Sequence, residues 1–291
     1  MKKRVMLLLA ATMGLAMMGC QSSDGGDGDK ASESNKSQTE EDGRSGSNLE
    51  GTVTLAAAAS LEYAFEEELI PAFEEELIPA FEEQHPDVNI EGVYDSSGKL
   101  QQQIESGLAA DLFFSAAPTQ MNALEEEGMI DSDTIVNLLE NKIVLITPAS
   151  SDAEFSSFED IANAGTIAVG DPESVPVGQY AQESLTNLGL WDTVSAKASF
   201  GTNVTEVLNW VAESSADCGI VYATDAATTD KVKVVAEAPA DSLESPVLYP
   251  VAMTKDAPNQ EAARAFYDFI ISDDAVSVFE SYGFADYRSA E

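Results

Sequence analysis

Histidine and cysteine are almost absent from this sequence, which has one histidine and two cysteines among 291 residues. The histidine, His85, precedes Pro86 in a polar stretch, and no Gly-x-Ser-x-Gly motif accompanies it, so a serine hydrolase triad is not supported. One histidine and two widely separated cysteines also lack the spacing of a zinc site. We therefore predict that the chain is not an enzyme, has no cofactor and holds no free metal cation.

Basic residues are scarce as well: 14 Lys and Arg stand against 52 Asp and Glu, for a net charge of −38. This balance argues against nucleic acid or an anionic membrane surface as a partner. It does not exclude a small anionic ligand, because salt screens distant surface charges beyond about 8–10 Å. Such a ligand would have to be held by local groups, namely backbone N–H groups and helix N-termini.

The N-terminus has the pattern of an export signal. Three basic residues precede an apolar stretch over residues 5–18, which is too short to span a bilayer. The following Gly19–Cys20 junction resembles a bacterial lipobox, so we predict a lipoprotein signal peptide at 1–19 and a lipid on Cys20. The alternative is an ordinary secreted protein with Cys20 near its cleavage point. Residues 20–50 are predicted to hold the lipidated cysteine and a disordered acidic tether, since they are nearly all small or polar. Cys218 would then be the one remaining thiol.

From residue 51 onwards, short apolar runs alternate with helical patterns. This alternation predicts an α/β architecture with mainly parallel sheets. Two apolar strands, at 142–147 and 247–253, bracket a β/α block of about a hundred residues. We predict two α/β lobes joined by a two-strand hinge, with the ligand cleft between them. Lobe one is assigned to 51–144 plus 252–291, and lobe two to 145–251.

Four loops rich in small and hydroxyl residues precede predicted helices, at 57–61, 95–100, 170–178 and 201–204. Each alone is an ordinary cap or turn. Helix N-termini that converge, however, form an anion site, and the cleft of an α/β protein brings such loops together. The four loops together therefore predict an anion-binding cleft.

Six segments in order resemble the molybdate-binding protein family of molybdate ABC transporters. They are AAASL at 57–61, SSGKL at 96–100, ADLFFSA at 110–116, GDPESVP at 170–176, GIVY at 219–222 and YPVA at 249–252. The resemblance implies a type II periplasmic-binding-protein fold and capture of molybdate or tungstate by neutral donors. It further implies an extracytoplasmic, membrane-anchored monomer that works with an ABC permease and its ATPase.

Carried over by matching motif, the ligand donors are hydroxyl groups and backbone N–H groups from five positions. They are Ser60, Ser97, Val177, Val204 and Tyr222. Val177 stands where the family often has alanine. A fully deprotonated tetrahedral dianion needs donors on every oxygen, whereas phosphate at neutral pH also needs an acceptor. Asp95, Asp171 and Asp225 lie near these loops, so phosphate and sulfate stay as alternatives, as does an adhesion or signalling role for the lobes.

A tandem repeat, AFEEELIP, occupies residues 64–71 and 72–79 and is followed by AFEE at 80–83. Eight residues make about 2.2 helical turns, so a second copy in a continuous helix turns its apolar stripe by about 80°. An interior proline also opposes one long helix. We predict that one copy is superfluous and extends away from the cleft.

Overall fold

The computed structural model describes residues 49–65 and 77–288. The predicted signal peptide, Cys20 and all but the end of the tether lie outside these ranges, as does the middle of the tandem repeat. The described chain from residue 49 onwards forms two β-sheets with helices packed on them. The type II periplasmic-binding-protein fold is confirmed.

The first sheet has six strands in the order β11-β4-β10-β3-β1-β2. Their bounds are Gly51–Ala58 for β1, Val88–Asp95 for β2, Leu112–Phe114 for β3, Val136–Asn141 for β4, Val247–Met253 for β10 and Ala285–Asp286 for β11. Strand β1 is parallel to β2 and β3, and it is buried along most of its length. Apolar side chains on both faces explain why the strands read as continuous apolar runs.

The second sheet has five strands in the order β7-β6-β8-β5-β9. Their bounds are Ile143–Pro148 for β5, Ile167–Gly170 for β6, Ala198–Gly201 for β7, Cys218–Tyr222 for β8 and Val232–Glu237 for β9. Burial of Cys218 at the start of β8 raises the pKa of its thiol to about 12, so the thiol stays protonated and unreactive.

The α-helices cover the sheets and fill the links between strands. They are α1 Glu62–Phe65, α2 Leu77–Gln84, α3 Ser97–Glu105, α4 Pro118–Glu126, α5 Pro176–Asn187, α6 Trp191–Ser195, α7 Val204–Ala212, α8 Ala223–Ala227, α9 Gln260–Ile270 and α10 Asp273–Ser281. The helical patterns of the sequence predict helices at 118–127, 259–271 and 273–281, and α4, α9 and α10 confirm them to within one residue at each end. Short 3-10 turns lie at Ala59–Leu61, Ser132–Thr134, Phe158–Asn163 and Ala240–Ser242.

The expectation of mainly parallel sheets is wrong, because both sheets are mixed. Strand β10 is antiparallel to β3 and β4, and β5 is antiparallel to β8 and β9. The chain reaches β5 and β10 by crossing between the sheets and not through a βαβ unit, so the parallel arrangement of such units does not apply to them. Strand β5 lies wholly in the second sheet and β10 wholly in the first. Sheet membership thus differs from the predicted lobe boundaries by a few residues, and those boundaries stay a proposal.

The described ends of the tandem repeat pack into the first-sheet core. Phe65 of the first copy and Phe81 of the partial third copy are both buried, and both rings pack against Phe266 of α9, at centroid distances of 6.4 and 5.0 Å. Phe65 also packs edge-on against Phe279 of α10 at 5.5 Å. Two phenylalanines in different copies therefore share one aromatic cluster.

Candidate functional site

The five predicted donors all follow the carboxyl end of a strand. Ser60 lies after β1, Ser97 after β2, Val177 after β6 and Val204 after β7, while Tyr222 is the last residue of β8. Ligands of α/β proteins bind beyond this edge of a sheet. All five residues are buried, with relative exposures between 0 and 5 %.

Ser97 follows a strand of the first sheet and Tyr222 ends a strand of the second, and both bind the backbone of the same residue, Ala116. The Ser97 Oγ accepts a hydrogen bond from the Ala116 N–H at 2.9 Å. The Tyr222 hydroxyl donates to the Ala116 carbonyl oxygen at 3.4 Å. Ala116 follows β3 of the first sheet, so it links one donor from each side of the cleft.

Ser60 belongs to a second buried polar network, centred on Tyr249 of β10. The Ser60 Oγ lies 2.9 Å from the Tyr249 hydroxyl, which accepts a hydrogen bond from Asn141 Nδ2 at 3.3 Å. Asn141 Nδ2 also donates to Thr224 Oγ1 at 2.9 Å. The Tyr249 ring packs against that of Tyr222, with centroids 5.5 Å apart. Ser60 and Tyr222 are thus connected through one tyrosine.

The two tyrosine hydroxyls stay protonated at neutral pH. Burial raises the pKa of Tyr222 well above 10, and the neighbouring Tyr249 raises it further. Burial likewise raises the pKa of Tyr249, together with the nearby Asp225 carboxyl. Each hydroxyl therefore has a proton to donate to an anion.

Val177 and Val204 lie in the first turns of α5 and α7, where backbone N–H groups have no intrahelical acceptor. Close packing places the start of α5 against the end of β6: a Cβ on Gly178 would lie 2.1 Å from the Gly170 carbonyl oxygen. The N–H of Asp171, which follows β6, donates to the Gly201 carbonyl at the end of β7 at 2.8 Å. These contacts bring the Val177 and Val204 loops side by side.

The charged residues near these loops are engaged or buried. Lys99 Nζ pairs with Asp95 Oδ1 at 3.1 Å, and the same oxygen accepts the Ser96 N–H. Asp171 Oδ1 accepts the Glu173 N–H at 3.0 Å. Asp225 is 1 % exposed, and burial raises the pKa of its carboxyl to about 8. At neutral pH it therefore retains its proton.

Sequence reasoning missed the residues that support the predicted donors. Tyr249, Asn141 and Thr224 are joined to Ser60 by hydrogen bonds between positions as much as 189 residues apart. Tyr249 stands in one of the six motif segments, and that is the one sequence signal that pointed to it. Within residues 49–65 and 77–288, no group of three or more His, Cys, Asp and Glu side chains is arranged to hold a metal ion.

The fold is that of a solute-binding protein, and the sequence matches that class. Residues 53–285 match the family described as bacterial extracellular solute-binding protein, and the chain belongs to this family. Its family names a solute-binding role outside the cytoplasm and not a catalytic one.

One relative is YvgL of Bacillus subtilis (strain 168), a lipoprotein whose name provisionally describes it as substrate-binding for an ABC transporter. The chain is 39 % identical to YvgL over 283 residues, which cover 97 % of this chain and 98 % of YvgL. It is 38 % identical over 241 residues to the molybdate-binding protein ModA of Escherichia coli K12, covering 81 % and 89 %. The predicted resemblance to molybdate-binding proteins is confirmed.

Solved structures agree on the fold. The periplasmic molybdate-binding protein of Azotobacter vinelandii superimposes with a TM-score of 0.68 over 80 % of this chain and 98 % of that one, at 20 % identity. At that identity the likeness supports the fold alone. The helices of the described ranges include none that is long and apolar enough to cross a membrane.

Proposed function

We propose that this chain is the binding subunit of an ABC importer and captures molybdate, or the closely similar tungstate, in the cleft between its lobes. Ser60, Ser97 and Tyr222 would donate hydroxyl groups, and Val177 and Val204 backbone N–H groups. The observation that carries the proposal is the convergence of three buried hydroxyl donors from both sheets: Ser97 and Tyr222 both bind the backbone of Ala116, and Ser60 and Tyr222 both contact Tyr249. The names of the relatives point to the same ligand.

The absence of an acceptor favours a fully deprotonated dianion over phosphate. Asp95 and Asp171 each accept a backbone hydrogen bond from their own loop through Oδ1, and Asp95 Oδ1 also pairs with Lys99. Asp225 retains its proton at neutral pH, so it offers an O–H donor and is not a charged carboxylate acceptor. Molybdate, tungstate and sulfate carry no proton at neutral pH and meet this requirement, so the size of the ion would decide between sulfate and the larger two.

Delivery would follow the scheme of the family. A lipid on Cys20 and the tether over residues 20–50 would hold the monomeric binding domain at the outer face of the cytoplasmic membrane. There it would present its ligand to a permease that works with an ATPase. The N-terminal sequence and the name of the lipoprotein relative support this arrangement.

The test is a ligand panel on the purified protein. Isothermal titration calorimetry and thermal melts are run with molybdate, tungstate, sulfate and phosphate in turn. Molybdate at about 100 times its dissociation constant should add about 2.7 kcal/mol to the free energy of unfolding, whereas equal sulfate should leave the melt nearly unchanged. An equal shift with sulfate or phosphate would contradict the choice of ligand, and no shift with any of the four would contradict an oxyanion site.

A further inference from the structure

A backbone hydrogen bond directly joins two of the candidate site loops, those at 95–100 and 170–178. Neither of its two residues is a predicted ligand donor. The Gly98 N–H, in the first turn of α3, donates to the Ser174 carbonyl oxygen at 3.0 Å. Gly98 is next to Ser97, and Ser174 is three residues before Val177. Helix α3 packs on the first sheet and α5 on the second, so this hydrogen bond crosses the cleft.

Both partners of this contact are held in place by their own loops. The N–H groups of Ser174 and Val175 both donate to the Asp171 carbonyl, at 3.1 and 2.8 Å, and the Asp171 N–H is bound to the second sheet at Gly201. On the other side, Ser97 is bonded to Ala116. Neither loop can therefore move without the lobe to which it is bonded. As a result, the distance between Gly98 and Ser174 sets the distance between the two lobes at this point.

Glycine is required for so close an approach. A Cβ built at position 98 would lie 2.4 Å from the Ser174 carbonyl oxygen, 2.8 Å from its Cα and 2.9 Å from its carbonyl carbon. All three atoms belong to the backbone, so a side-chain rotation cannot relieve the overlap. Restoring ordinary van der Waals contact needs a displacement of about 1 Å.

A second bond spans the same gap a short distance away. The Gln120 Nε2 of α4 donates to Gln179 Oε1 of α5 at 3.2 Å. Gln120 is 3 % exposed, so its amide is removed from water only when the lobes meet. Two polar contacts therefore hold the lobes at one spacing along one side of the predicted ligand.

We propose that Gly98 is a positioning residue for ligand capture. Because Gly98 has no side chain, its N–H can bind the Ser174 carbonyl oxygen. This contact brings the Ser97 and Val177 donors to the distance at which both reach one ion. The inference rests on the proposed function. Gly98 contributes to affinity without contributing a predicted donor, because donors on opposite lobes act together only when the cleft is closed.

The test compares Gly98→Ala with Ser174→Ala. Gly98→Ala should weaken molybdate binding at least ten-fold in calorimetry, mainly through faster dissociation in stopped-flow measurements. Ser174→Ala is the matched control: it keeps the backbone carbonyl, so its affinity should stay within two-fold of the unaltered protein. Small-angle scattering at saturating molybdate should show Gly98→Ala more expanded than the control, a difference that general destabilisation of one lobe would not produce.

Gln179→Ala supplies an independent test if Gly98→Ala does not fold. It should weaken binding by a few-fold, in line with the loss of one neutral hydrogen bond, and leave the melt of the ligand-free protein unchanged. Affinity and compaction equal to those of the unaltered protein in Gly98→Ala, or in Gln179→Ala where the first does not fold, would overturn the role of the contact. Failure of the unaltered protein to bind any oxyanion would instead overturn the proposed function.

Discussion

Asp225 allows the pH dependence of stability to be predicted from one side chain. It lies in the first turn of α8, is 1 % exposed, and neither carboxyl oxygen has a hydrogen-bond partner in the described part of the chain. Burial raises the pKa of the Asp225 carboxyl from 3.8 to about 8. The nearby backbone N–H groups of Asp225 itself and of Tyr222 offset part of this rise, although they do not reach hydrogen-bond geometry. Asp111 is equally buried but accepts N–H groups from Thr54 and Asn259, at 2.8 and 2.9 Å.

The direction in which stability changes with pH follows from the number of protons that the folded and unfolded states bind. Between pH 3.8 and about 8 the folded protein holds a proton on Asp225 that the unfolded chain releases. Stability from this group is therefore complete at low pH and is lost as the pH rises towards the folded pKa. Each pH unit costs about 1.4 kcal/mol, so the loss between pH 5 and pH 7 is about 3 kcal/mol.

The perturbation is Asp225→Asn, which keeps the size of the side chain and does not titrate. Urea denaturation of both ligand-free proteins at pH 5, 6, 7 and 8 gives their free energies of unfolding. We expect the variant to gain about 3 kcal/mol on the unaltered protein between pH 5 and pH 7, with the gain levelling off near pH 8. The contribution of the single histidine cancels because both proteins carry it.

Other shifted carboxyls do not disturb this window. Hydrogen bonds from Ser156 and Ser157 lower the pKa of Asp160, and the Thr166 N–H lowers that of Asp217. Groups with lowered pKa contribute stability above their ordinary pKa, and this contribution is lost only as the pH falls below about 4. A free-energy difference between the two proteins that stays constant from pH 5 to 8 would refute the conclusion that Asp225 is neutral in the folded protein.

Three further predictions concern the site, the repeat and the anchor. Ser97→Ala and Ser60→Ala should each weaken molybdate binding by about ten- to a hundred-fold in calorimetry, since a hydrogen bond to a charged group contributes about 1.5–3 kcal/mol; unchanged affinity in both folded variants would contradict the donor set. Deleting residues 72–79 gives the same product as deleting residues 64–71, and the remaining copy again supplies LIP before AFEE. This deletion should keep the affinity for molybdate within a few-fold and leave the stability equal or higher. Loss of folding or of binding would show that the repeat is integral to the structure. Cys20→Ser should move the protein from the membrane fraction to the soluble fraction in immunoblots, and continued membrane retention would indicate another anchor.

Local pattern was enough to predict most elements that carry the site. Strands β1, β2, β3, β5, β6, β8 and β10 coincide with the apolar runs at 53–55, 88–93, 111–114, 142–147, 166–169, 219–222 and 247–253, because the core-facing positions of a strand need apolar side chains. Strands β4, β7 and β9 and the two-residue β11 were missed. Their burial patterns include several half-buried or exposed positions, so they lack the continuous apolar signal.

The resemblance to molybdate-binding proteins also predicted more about the site than the spacing of residues could. It selected five donor positions from a chain rich in serine, and each of them is buried in the first turn of a helix, in a 3-10 turn or at the end of a strand. Their role as ligands stays a prediction. Composition alone supported only the narrower expectation that an anion would be bound by neutral groups.

The sequence by itself determined the α/β alternation, the loops at helix N-termini and the family, because these depend on neighbouring residues and on motif order. Tertiary structure alone decided which distant groups meet. Ser60 finds Tyr249 and Tyr222 finds Ala116 across 189 and 106 residues, and the Gly98–Ser174 contact exists only where the two lobes touch. It also decided that Asp225 keeps its proton, since the pKa depends on burial and on missing partners, which no local pattern of residues specifies.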